Sequence, residues 1–257
     1  MTWNEIIRLR NKFERLHKRK IYDALMDQLK QVTSEISPGT LDMLDQKINT
    51  LVSNNSIKKA FYNLYNDVGW TFYRIHKFRK SLDEVTERSL WDMTFEKVVE
   101  AETGMRITLI TDYSKEILIQ VAKSVLNQGQ IEGLGILEME RIMRNALTSE
   151  FQRMARYRSL RIVQTEVMSA SNFATMKAGH ESGLNMRKRW LTAPVGIAKT
   201  ERHNEYQPGL GQQRPKDGQP FNVGGVMMQY PGDGPAEQVI NCRCALSWEP
   251  IEEINLE

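Results

Sequence analysis

The stretch EFQRMARYRSLRIVQTEVMSASNFATMKAGHESG, residues 150–183, decides how this chain is read. Leu160, Val163, Val167, Ala170 and Ala174 recur at helical spacing and share one face, which predicts a long helix over 150–182. Gly183 marks its end. Beyond it glycine and proline become frequent and the helical period stops. Arg187 to Thr192, around Trp190, reads as a strand, and Phe221 to Val226, Met227 to Tyr230 and Cys244 to Trp248 read as short strands between glycine-rich turns. The helix runs into these strands with no linker beyond Gly183. They are therefore expected to form one small α+β unit, a long helix packed on a short antiparallel sheet.

Upstream the pattern is helical. Tyr22, Leu25, Met26, Leu29 and Val32 define one apolar face. Ser37-Pro38-Gly39-Thr40 breaks it, Leu41, Leu44, Ile48 and Leu51 resume it, and Asn54-Asn55-Ser56 is the next break. Phe61, Tyr65, Val68, Phe72 and Ile75 form an aromatic stripe. Tyr62, Trp70 and Tyr73 lie off it, so residues 57–80 are also a candidate contact surface for another subunit. Trp91, Phe95, Val98 and Val99 predict a further helix ending at Gly104. Residues 105–127 read as helix through Ile110, Tyr113, Ile117 and Val121. Gln128 to Gly135, with three glycines, reads as a linker or hinge, and another helix is expected over 136–147. The fold class is α+β and predominantly α-helical. A helical domain over 1–127, the candidate docking part, precedes a second domain over 128–257.

Of the 257 residues, 40% are apolar and 26% charged, enough to build a sizeable core. The net charge of +3 permits contact with nucleic acid without requiring it, so clustering matters more than the total. Lys18, Arg19 and Lys20 form one cluster, and Arg153, Arg156, Arg158 and Arg161 another. No run of about 20 apolar residues predicts a membrane span. The N-terminus lacks the layout of a signal peptide, which predicts cytoplasmic synthesis. The two cysteines, Cys242 and Cys244, are poorly spaced to staple a fold, consistent with a reducing compartment. Gly209-Leu210-Gly211 and Gly224-Gly225 lack the spacing of a phosphate loop and read as turns.

An ordered series of motifs fills the C-terminal hundred residues. Arg161-Ile162-Val163-Gln164-Thr165-Glu166 comes first, with Asn172 and Ala174 on the same helix. Trp190-Leu191-Thr192-Ala193 follows, then Thr200-Glu201-Arg202-His203, Gly218 with Phe221, Tyr230-Pro231-Gly232-Asp233 and Asn241-Cys242-Arg243-Cys244. The series resembles the phage Mu F-like minor head proteins, also called phage head-morphogenesis proteins. The Asn-Cys-Arg-Cys ending is the most specific part. Gln164 departs from the pattern where an arginine is frequent, Ala193-Pro194 where an aspartate often follows, and Val239-Ile240 where some members have His-Pro. The resemblance spans roughly residues 130–250. It implies a minor capsid protein of a tailed phage or prophage that acts in head morphogenesis. Such a protein associates with the portal protein, the capsid and packaged double-stranded DNA. It is made in the host cytoplasm and then enters the virion head. It implies no enzyme, no small-molecule substrate and no membrane. Its motif residues here are Arg161, Thr165, Glu166, Asn172, Trp190, Arg202, His203, Asn241 and Arg243.

Three constellations carry alternative chemistry. Cys242 and Cys244, two apart on a strand, would face one way and with His203 could bind zinc. A tetrahedral site needs a fourth ligand, for which His180 or Asp217 is the candidate, and the complete site would make a zinc-knuckle nucleic-acid-binding module. The alternative is a pair of buried apolar cysteines and a hydrogen-bonded histidine. Glu166 with His203 could form the acid–base pair of an enzyme. The alternative is a buried polar network in which Glu166 meets an arginine such as Arg202. Arg153, Arg156 and Arg158 could follow DNA phosphates, or form a solvated helix face.

Overall fold

The computed structural model describes residues 1–77, 84–193 and 216–251. Helices dominate. α1 spans Trp3–Thr33, and a 3-10 turn over Pro38–Met43 leads into α2, Leu44–Leu51. α3 spans Asn55–His76, α4 Glu84–Glu132 and α5 Ile136–His180. The C-terminal region adds β1, Met186–Leu191; β2, Phe221–Val223; β3, Val226–Met228; a single turn of helix, α6, Ala236–Val239; and β4, Ala245–Pro250. β1 pairs antiparallel with β4, Trp190 opposite Leu246, and β2 pairs antiparallel with β3. This is the predominantly helical α+β fold that the sequence predicts.

The chain forms two compact units. Unit 1 comprises residues 1–16, 63–96 and 161–257, and unit 2 residues 17–62 and 97–160. The four long helices each contribute to both, so each unit draws on both sides of the 127/128 boundary expected from sequence. The segment 128–135 is not a linker between domains. α4 continues to Glu132, and Gly133 N–H and Leu134 N–H bond back to the carbonyls of Gln130 and Gly129. Gly133, at φ +67°, turns the chain into α5 within unit 2.

Two other expected breaks are absent. Gly104 sits inside α4, where glycine costs about 1 kcal/mol relative to alanine, a small deficit in a helix of 49 residues. Thr148 and Ser149 lie inside α5, with Ser149 Oγ donating to the Ala146 carbonyl instead of capping a new helix. By contrast, Gly224 and Gly225 do make the two-residue β2–β3 turn, which splits the strand expected over 221–226 and moves Val226 into β3. Both glycines have positive φ, as such a hairpin turn requires.

Unit 2 is cored by Leu25, Leu29, Ile48, Phe61, Leu118, Met143 and Phe151, all at most 3% exposed. In unit 1 the central element is α5. Residues 165–175 are buried at every position, so the helix is enclosed on all sides. Its small side chains permit this. Gly179 faces the Trp248 ring so closely that a Cβ would stand 2.0 Å from it, and a Cβ on Gly232 would stand 2.7 Å from Ser169 Oγ. Two of the off-stripe aromatics of α3 are covered from within: Trp70 and Tyr73 pack with Trp91 of α4, with Tyr73 and Trp91 ring centres 4.4 Å apart. That packing buries Trp70 and Tyr73, while Tyr62 stays half-buried and residues 78–80 of the 57–80 contact candidate lie outside the described residues. Phe95, Val98 and Val99 have side chains outside the described residues.

Candidate functional site

Three residues of the motif series, Asn172, Arg243 and Cys244, meet in unit 1 around one side chain that sequence reasoning missed. Arg10 projects from the N-terminal part of α1 and is 1% exposed. Its Nε donates to Ser171 Oγ at 2.8 Å, Nη2 to Asn172 Oδ1 at 2.7 Å, and Nη1 to the carbonyls of Cys244 and Arg243 at 3.0 and 3.3 Å. A buried guanidinium is tolerated when its donors are met in this way. Burial lowers its pKa to about 10, and Arg243 adds to the effect.

Asn172 is the second node. Its Nδ2 donates to the Pro231 carbonyl at 2.7 Å and to that of Cys244 at 3.1 Å, and its Oδ1 also accepts from Leu246 N–H at 2.9 Å. One amide thus ties α5 to the Tyr230-Pro231-Gly232 turn and to the start of β4. Arg243 returns to α1, pairing with Glu14 and donating to Asn11 Oδ1 at 3.2 Å. Asn241 enters this corner with φ +63°, the left-handed conformation that asparagine tolerates better than most residues.

Cys242 and Cys244 are both buried and free of disulfides. The Cys242 thiol is pushed well above its ordinary pKa, first by its hydrogen bond with Cys244 and then by burial. The two cysteines thus hydrogen-bond to each other in a buried place beside the Arg10 guanidinium. His180 and Asp217, the candidate completing ligands, bond to each other at 2.7 Å, with the His180 side chain 69% exposed. Among the described residues no three His, Cys, Asp or Glu side chains are grouped to hold a metal ion. His203 and Arg202 lie outside the described residues, as does Gly209-Leu210-Gly211.

The remaining candidates take separate places. Glu166, 2% exposed, accepts a hydrogen bond from Tyr65 Oη at 2.8 Å. Thr165 is buried beside it in sequence, whereas Arg161 is exposed. Trp190 is fully buried, edge-on to Phe221 at 5.2 Å. Lys188, 1% exposed on the same strand, donates to Gln229 Oε1 at 2.6 Å, and burial lowers its pKa to about 8. The arginine series divides in unit 2. Arg153 and Arg156 are exposed. Arg158 is turned inward, bonding the Ile110 carbonyl and Ser114 Oγ and lying 4.3 Å over the Tyr113 ring.

The missed residues did leave a signal. Ile6, Arg10, Phe13, Glu14, His17 and Ile21 fall on one helical face and are all buried, so three ionisable side chains interrupt an apolar stripe. Polar residues at core positions need internal partners.

No protein-family model, curated protein or solved structure matches this chain. Among the described residues, no helix is long and apolar enough to cross a membrane.

Proposed function

We propose that this chain is a minor head protein of a tailed phage or prophage, of the Mu F-like head-morphogenesis kind, and that it works by binding and not by chemistry. The observation that carries the proposal is the network around Asn172. Asn172 and Cys244, the last residue of the Asn-Cys-Arg-Cys segment and 72 residues away, meet at one buried point, and the Tyr-Pro-Gly turn closes on the same amide. A set of short motifs that recurs in a fixed order is expected to behave so when its residues specify a fold, since each motif needs the others as hydrogen-bond partners. That supports reading the series as a family signature instead of a set of unrelated turns.

In this reading the motif residues build a module, and its exposed surfaces engage the portal protein and capsid during assembly in the host cytoplasm and stay in the virion head. Exposed Arg153 and Arg156 are the positions best placed to meet packaged double-stranded DNA. Arg158 contributes to the packing of its own unit. The test is co-expression with the portal protein and major capsid protein of the same genome, followed by isolation of procapsids. Incorporation of the chain in few copies, lost when the portal protein is omitted, is the expected result. Procapsids that form normally and never contain the chain would overturn the proposal. Removing residues 1–127 is no test of a docking domain, because it also removes Arg10 and Tyr65 from the core of unit 1.

A further inference from the structure

The charge of this chain is unevenly placed. Residues 1–20 hold seven lysines and arginines against two carboxylates, Glu5 and Glu14, while the other 237 residues hold 28 against 30. The whole basic excess therefore sits on the N-terminal part of α1. The fold sorts that part by face. Ile6, Arg10, Phe13 and Glu14 are buried in unit 1, and Arg8, Lys12 and Arg15 are exposed. Spacings of four and three residues set the three exposed cations in one row, about 10 Å long at 1.5 Å per residue.

Among the described residues, no carboxylate pairs with this row. Glu5, one turn ahead of Arg8, has its Oε2 occupied by the N–H and Oγ of Thr2 at 2.7 and 3.1 Å. Glu14 is buried and pairs with Arg243. Arg15 spends only its Nε, on the Asn11 carbonyl at 3.3 Å. Cations elsewhere are answered within a turn: Arg141 pairs with Glu138, and Arg153 with Glu150. Arg19, next along the α1 row, is likewise paired with Asp23. Excess positive charge gathered on one face and left unpaired is the electrostatic footprint of a polyanion site.

The kind of polyanion follows from what surrounds the row. A helix that lies on lipid presents an apolar face to it, and here Ile6 and Phe13 are spent on the core. A reader of single strands stacks bases on exposed rings, and the one aromatic between residues 4 and 16, Phe13, is buried. A duplex backbone needs neither. Each of its strands carries a phosphate every 3.4 Å or so, so about 10 Å of cations meets about three phosphates.

We infer that Arg8, Lys12 and Arg15 form a binding site for the phosphate backbone of a nucleic-acid duplex. The site holds the backbone and reads no base, so binding is independent of sequence. It is separate from Arg153 and Arg156, and it does not rest on the head-assembly proposal.

Anisotropy of a labelled DNA duplex of about 20 base pairs, titrated with the full chain between about 50 and 200 mM salt, tests the site. The native chain should bind, equally well when the duplex sequence is shuffled. Each neutralised phosphate contributes about 0.9 to the slope of log affinity against log salt. The triple variant Arg8→Gln, Lys12→Gln, Arg15→Gln should therefore bind more weakly and lose about 2.7 of that slope. Its circular dichroism should be unchanged, because all three side chains are exposed. Arg8→Lys with Arg15→Lys keeps the charges and should keep the slope. Arg153→Gln with Arg156→Gln reads the α5 contact proposed above, so the two sites can fail separately. An RNA duplex of the same sequence shows which duplex form the row fits better, and binding of either form supports the site. No binding by the native chain at the lower salt, an unchanged slope in the triple variant, the same loss in the charge-keeping variant, or equal affinity for polyglutamate of matched charge would each overturn the inference.

Discussion

Replacing Asn172 by alanine should be among the most damaging single changes available in unit 1. The side chain is 1% exposed and serves four groups: it donates to the carbonyls of Pro231 and Cys244 and accepts from Arg10 and Leu246 N–H. Their fates after truncation differ. The Cys244 carbonyl keeps Arg10 Nη1 at 3.0 Å, and Arg10 keeps Ser171 and both carbonyls. Leu246 N–H and the Pro231 carbonyl lose the amide that met them in a buried site. Stranding a buried polar group costs about 1–3 kcal/mol, and losing a bond to a charged group about 1.5–3 kcal/mol. The expected loss is therefore about 4 kcal/mol. All five tryptophans, Trp3, Trp70, Trp91, Trp190 and Trp248, belong to unit 1, so tryptophan fluorescence in urea reports on that unit. With a denaturant slope of about 2 kcal/mol per M, the midpoint should fall by roughly 2 M. Arg161→Ala, exposed on the same helix, should stay within about 0.5 kcal/mol of the native protein. A fall of less than about 0.5 M for Asn172→Ala at unchanged slope would refute the assignment of Asn172 as a node of the core.

Gly179→Ala should destabilise unit 1 by about 2 kcal/mol despite the better helix propensity of alanine, because the new Cβ would displace the Trp248 ring, which donates its indole N–H to the Thr175 carbonyl. The same urea titration reads it, and a stabilised variant would contradict the packing described. Stability should also fall as pH drops below about 6.5, the ordinary histidine value. Burial lowers the His76 pKa, against the opposing pull of the Phe72 carbonyl, so below that value the unfolded chain takes a proton that the folded chain refuses. His76→Gln should lose less stability than the native protein between pH 7.5 and 5.5; an identical loss would remove His76 from the account. Purified protein should carry less than about a tenth of an equivalent of zinc, since His180 and Asp217, the candidate completing ligands, bond to each other and no third metal-binding side chain is grouped with Cys242 and Cys244 among the described residues. Stoichiometric zinc that survives a chelator would restore His203, Cys242 and Cys244 as ligands.

The elements that were legible in the sequence are those whose signal is local. The stop of α5 just before Gly183 and the turn at Gly224-Gly225 follow from the need for positive φ, and β1 and β4 from short segments around Trp190 and Trp248 bounded by turn residues. The features that were not legible depend on distance. Gly104 and Thr148-Ser149 look like breaks by propensity, yet packing along the rest of α4 and α5 outweighs a deficit of about 1 kcal/mol. The division into units was hidden for a related reason. Each of the four longest helices serves both units, and nothing in a helical period changes where a helix passes from one core to another.

At the candidate site the same contrast holds, with one instructive exception. Asn172, Arg243 and Cys244 could be picked out together because the order of motifs groups them. Arg10 could not, since its partners lie 161 and 234 residues away. Yet its position in the apolar stripe of α1 carried the information that a partner must exist. An arginine between Ile6 and Phe13 on a buried face is too costly to leave unmet. The partners it finds explain why the Asn-Cys-Arg-Cys segment has the residues it has. Cys244 supplies a carbonyl to both Arg10 and Asn172 from a backbone that only small buried side chains let approach, and Arg243 points the other way to meet Glu14. A metal is not needed to account for the two cysteines. Both are small apolar side chains, buried where the Cys244 carbonyl meets Arg10 and Asn172.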